Sequence, residues 1–131
     1  MATAQTFEDL QVWQDARQMV NAIYQATKLR PFFNDRDLRS QIRRAATSTM
    51  SNIAEGFERG TKKEFIQFLS VAKGSNGEVR SQLWVGVDQG YLSPEAFEQF
   101  RQQCLALSRR LARFIRYLER CDMKTRVRKS R

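Results

Sequence analysis

The sequence has no histidine, only two prolines and two cysteines, and no apolar run of the 18 or more residues that a membrane-crossing helix needs. Without histidine, the side chain most used as a general base and as a transition-metal ligand is missing, so binding is expected rather than catalysis, with no cofactor. Two prolines and six glycines among 131 residues leave long uninterrupted stretches that favour helix. Cys104 and Cys121 lie 17 positions apart; on one helix that is about 25 Å, too far to bridge. Free thiols, no basic-plus-apolar leader over residues 1–10 and no spanning segment predict a cytoplasmic protein.

What is present is positive charge. Lys and Arg number 23 against 14 Asp and Glu, a net +9, and a chain of this length makes one domain. The excess is not spread evenly. From Arg109 to the end there are ten basic residues against Glu119 and Asp122, while residues 1–108 are close to neutral. Such an excess attracts polyanions, which leaves nucleic acid, an acidic protein or an anionic membrane as partner classes.

The breakers Pro31, Gly60, Gly90 and Pro94 divide the chain into four segments, each with one apolar stripe at helical spacing. The spacing predicts helices over about 8–30, 35–58, 62–89 and 94–121, followed by a flexible basic tail over 122–131. Thr6 with Asp9 reads as a capping pair for the first helix, and Trp13, Ala16, Val20, Ile23 and Thr27 as its seam. Asn34 is the expected cap of the second, whose core positions are Leu38, Ile42, Ala45, Thr49, Ile53 and Phe57. Thr61 and Glu64 match a capping box opening the third helix, with Phe65, Phe68, Ala72, Ser75, Val79, Leu83 and Gly86 facing inward. Gly74 and Gly77 either weaken that helix or admit another backbone. Ser93-Pro94 supplies a cap and a first-turn proline for the fourth helix, with a stripe of Phe97, Phe100, Cys104, Leu107, Leu111, Phe114 and Leu118. Short connections between four long helices predict an all-α, antiparallel up-down-up-down four-helix bundle.

At about 100° per residue, Arg109, Arg113, Arg116 and Arg120 fall on one face, opposite the core stripe, with Arg110 to one side. Four arginines on one face repel one another, so something else must favour them; arginine's planar fork matches phosphate oxygens. The competing reading is a basic face balanced by acids of another subunit. The tail adds Lys124, Arg126, Arg128, Lys129 and Arg131. A second basic set comprises Arg36, Arg39, Arg43 and Arg44 with Arg59, Lys62 and Lys63, but Glu55, Glu58 and Glu64 lie among them, and ion pairing within the bundle competes with ligand binding. No glycine-rich phosphate loop, CxxC pair or metal-spaced carboxylate cluster occurs, and Ser48, Ser51 and Ser75 have no histidine to activate them.

Three stretches carry a family likeness: FEDLQVWQDARQMVNAIY from Phe7 to Tyr24, QIRRAATSTMSNIAEGFERGTKKEFIQFLSVAKGS from Gln41 to Ser75, and QGYLS from Gln89 to Ser93. With its SNIAEG-x-x-R and EF-x-x-FL-x-x-A-x-GS blocks, the chain resembles the four-helix-bundle proteins of ribosomal-RNA intervening sequences, related to accessory proteins of diversity-generating retroelements. The resemblance spans about residues 7–120. It implies a homopentamer with basic surfaces that bind RNA or DNA, and in the retroelement branch a reverse transcriptase as partner. It places Arg43, Arg44, Asn52, Glu55, Gly56, Arg59 and Glu64 among the shared positions. Many relatives have Ile-Pro where this chain has Thr49-Met50, which predicts a straighter second helix. The leading expectation is a non-enzymatic, pentameric nucleic-acid-binding accessory protein. The alternative is a protein-interaction scaffold encoded by an intervening sequence, whose basic face docks an acidic partner. A membrane-surface role is disfavoured because the core needs the apolar face of the fourth helix.

Overall fold

Long segments with one apolar face bury that face against each other, and the computed structural model, which describes residues 4–121, resolves them into four helices and two short 3-10 turns. Helix α1 spans Gln11–Thr27, α2 Arg36–Arg59, α3 Lys62–Asp88 and α4 Pro94–Arg120, with the turns at Phe7–Asp9 and Phe32–Asn34. No strand occurs among the described residues. Successive helices run antiparallel: Gly56 near the end of α2 meets Phe65 and Phe68 at the start of α3, and Lys62 opening α3 meets Cys121 closing α4. The expected four-helix bundle is therefore the fold.

The helix ends follow the local chemistry, with two corrections. Thr6 and Asp9 do form a reciprocal capping box, but it closes the 3-10 turn Phe7–Asp9, and α1 starts only at Gln11 after extended Leu10. The cap of α2 is Asp35 rather than Asn34: its carboxylate accepts from Leu38 N at 3.0 Å and from the Tyr91 hydroxyl at 2.9 Å. These bonds, that to Leu38 N first, hold the Asp35 carboxyl below the usual carboxylate range. Gly60 ends α2 with φ of 90°, in the left-handed region that favours glycine. Thr61 accepts from Glu64 N at 3.2 Å to open α3, and Ser93 accepts from Ala96 N at 3.0 Å with Pro94 in the first turn of α4. Gly90, φ 80°, ends α3 in a Schellman motif whose two bonds run from Tyr91 N to Gly86 O and from Gly90 N to Val87 O.

All six expected core positions of α2 are buried, joined by Ala46 and Gly56. In α1 the buried face is Val12, Ala16, Met19, Ile23 and Thr27, so Trp13 and Val20 sit half-buried on its flank. In α3, Leu69 and Asn76 take the central places expected of Phe68 and Ser75, which are half-buried on the side toward α2. The close helix approach is at Gly56, where an added Cβ would lie 2.6 Å from Phe68 Cβ; around Gly74 and Gly77 nothing comes within 4 Å. Phe57, Phe65 and Phe114 join α2, α3 and α4 edge-to-face at one end of the bundle. Phe32 against Tyr91 ties the two loops together at the other.

Candidate nucleic-acid interface

The core stripe of α4 determines where its arginines go. Phe97, Cys104, Leu107, Leu111 and Leu118 are buried, so Arg109, Arg113, Arg116 and Arg120 emerge on the far side, and all four are exposed. None of the four makes an ion pair or hydrogen bond with another described residue. Of the exposed acids of α4, Glu95 and Glu98 belong to its first turns, where Glu98 pairs with Arg101 at 3.2 Å, and Glu119 stands in the last turn. Apart from Glu119, the outer face runs from acidic to basic, the order the helix dipole favours. Tyr117, about half exposed, lies next to the ridge and stacks on Phe114.

The remaining predicted residues divide into engaged and free groups. Arg110 is ion-paired with Asp15 of α1. Arg59 bridges Glu55 at 3.1 Å and Glu64 at 3.3 Å and lies over the Phe68 ring; the Glu55 contact, foremost, raises its pKa. Lys62 donates to the Cys121 carbonyl at 2.8 Å, closing the end of α4. Lys63 is exposed beside it. Lys62 and Lys63 therefore extend the basic end of α4.

Arg43 and Arg44 do not join that cluster. Sixteen positions separate Arg43 from Arg59 on one continuous helix, about 24 Å along its axis, so the second basic set is split between opposite ends of the bundle. The expected competition from ion pairing within the bundle is seen at Arg59, which takes Glu55 and Glu64, and not at Arg43 or Arg44, which have no ion pair among the described residues. Arg43 instead donates from Nε to the Thr27 hydroxyl at 2.8 Å and lies 4.4 Å over the Tyr24 ring. Arg44 donates to Ser40 Oγ at 3.2 Å. Lys124, Arg126, Arg128, Lys129 and Arg131 lie outside the described residues.

The sequence reading passed over Tyr24 and Tyr117. Tyr117, one turn from Arg113 on α4, is indistinguishable in sequence from core patterning, and Tyr24, on α1, meets Arg43 of α2 only once the bundle is assembled. Other chemistry is sparse. Ser48 and Ser75 share a hydrogen bond at 3.0 Å with Asn52 alongside, and no base adjoins them. Among the described residues no three metal-ligating side chains cluster, and no helix is long and apolar enough to cross a membrane.

The comparisons agree on the fold. The chain is similar to a crystallised protein of unknown function from the S23 ribosomal protein family of Bacteroides thetaiotaomicron, with 21% identity and a TM-score of 0.72 over 79% of this chain and 97% of that one. No curated protein matches the chain. The family profile of 23S rRNA-intervening sequence proteins matches residues 8–113, which include α1 to α3, most of α4 and the first half of the arginine ridge, and the chain belongs to that family.

Proposed function

We propose that this protein is a non-enzymatic, nucleic-acid-binding accessory protein that works as a homopentamer. It grips phosphates with Arg109, Arg113, Arg116 and Arg120, assisted by Lys63 and the basic residues after Asp122. The observation that carries the reading is four exposed arginines on one helical face with no ion-pair partner among the described residues. Contacts of this kind position a strand without reading its sequence. Each neutralised phosphate releases condensed counterions, so affinity falls steeply with salt, by a logarithmic slope of about 0.7–0.9 per contact. In the cell the protein partner is a reverse transcriptase, a role supported by the likeness to retroelement accessory proteins.

The test is binding of RNA and DNA across a salt series, for the full chain and for a variant lacking residues 122–131 and carrying R113Q and R116Q. Binding is expected to be tight at low salt and the variant's slope shallower, by about one unit per lost contact. An unchanged slope overturns the ridge. If the full chain shifts no nucleic acid at low salt yet keeps a protein partner after nuclease treatment, the basic face is a protein-docking scaffold. A solution mass five times the 15.3 kDa chain checks the pentamer.

A further inference from the structure

At the opposite end of the bundle, α1 and α2 enclose a cleft of about 440 Å³ lined by Tyr24, Arg39, Ser40, Arg43, Arg44 and Thr47. We propose that this cleft is a second anion site, independent of the α4 ridge, that takes the phosphate monoester of a nucleotide, whether free or at the end of a strand. Three guanidinium groups line it with no carboxylate among the lining residues. None of the three has an ion pair among the described residues. Like charges this close repel, and in a bundle they are ordinarily offset by acids.

Neutral groups hold them in place instead. Thr27 is fully buried; its hydroxyl donates to Ile23 O at 2.8 Å, which leaves its oxygen to accept from Arg43 Nε. Arg43 is thereby fixed over Tyr24, and its side chain makes no other hydrogen bond or ion pair among the described residues. Arg39 lies 4.2 Å over the Phe33 ring and donates to the Phe33 carbonyl. Arg44 is held by Ser40. Ordering these side chains in advance reduces the entropy lost when a ligand arrives.

Several forks around one concave site suit a dianion with three terminal oxygens better than a diester with one charge. A strand running past would be served by a ridge. Phe33 and Leu29, 37% and 67% exposed, are adjacent in the same turn and offer the apolar ledge on which a base can rest. Asp35 and Asp37 line an adjoining cleft that shares Arg39 and Ser40 with this one, but neither forms an ion pair with Arg39, and Asp35 is held by Leu38 N and Tyr91.

The experiment compares one short RNA carrying a 5′-phosphate, a 3′-phosphate or only hydroxyl ends, by fluorescence anisotropy with the full chain. Adenosine monophosphate, inorganic phosphate and a phosphoserine peptide serve as competitors. A phosphorylated end is expected to bind about tenfold tighter than hydroxyl ends, the worth of roughly one charge-assisted hydrogen bond. R39Q and R44Q should erase that preference, and R43K, which keeps the charge but loses the fork, should do the same. R113Q should weaken all strands alike. Competition by the mononucleotide as strong as by the phosphorylated strand identifies a free nucleotide as the source; weaker competition identifies a strand end. Equal affinity for phosphorylated and hydroxyl strands overturns the site, as does a preference that survives in R39Q and R44Q. A phosphoserine peptide competing as well as the mononucleotide overturns the nucleotide assignment.

Discussion

At the scale of single residues, the tightest constraint is Gly56, whose missing Cβ leaves room for Phe68 Cβ and for Phe65 Cδ1, 2.6 and 3.0 Å from the position it would occupy. Phe68 Cβ is fixed to the α3 backbone and cannot swing away. Gly56→Ala is expected to destabilise by about 1–3 kcal/mol through overpacking. Gly74→Ala, with open space around it, should stabilise by up to about 1 kcal/mol through helix propensity. Urea unfolding of the two variants checks both signs. Cys104 is the second constrained residue: burial pushes its thiol up to about 11 against an ordinary 9.0. A raised thiol pKa favours the fold while the group is neutral, so this contribution is complete below about pH 9 and disappears as pH climbs through about 11. The urea midpoint of the wild type should fall more steeply between those values than that of Cys104→Ala. Asn76 was the residue least legible in the sequence. It is fully buried, donating to Cys104 O at 2.7 Å while its own Oδ1 has no partner among the described residues, and no periodicity rule places an amide at a core centre.

At the scale of elements, caps and breakers were the readable signals, because each acts through its own turn. Thr61, Ser93, Gly60 and Gly90 all occupy the roles their types imply. Replacing Thr61 by Ala should lower stability by about 1 kcal/mol, measurable as a shift in the urea midpoint. Phase was harder to read. In α1, Trp13-Ala16-Val20 and Val12-Ala16-Met19 fit a helical stripe equally well, and the choice is made by contacts with other helices. Trp13 is drawn to the flank, where it packs on Phe7 at 5.2 Å. The α4 ridge was legible because a regular core stripe determines the opposite face by geometry alone. The acids that engage Arg59, Glu55 and Glu64, were legible from their closeness in sequence, whereas the partners of Arg43 and Lys62 were not, since Thr27 and Cys121 reach them from other helices.

At the scale of the whole molecule, α2 and α3 form the most intimate pair, closed by Gly56 and by the Ser48–Ser75 bond. Helix α1, at 17 residues, is the shortest, and its one described ion pair to α4 is exposed Arg110 with Asp15. Amide hydrogen exchange is therefore expected to be faster through α1 than through the buried stretches of α2 and α3, and uniform protection across the four helices would contradict that ranking. The separation of the two arginine groups along α2 also makes the bundle a molecular ruler. A duplex lying alongside would need about seven base pairs, at 3.4 Å each, to reach from the level of Arg43 to that of Arg59. Ligands shorter than this engage one end of the bundle at a time; longer ones can link the two, and the second contact then forms at the high local concentration that tethering provides.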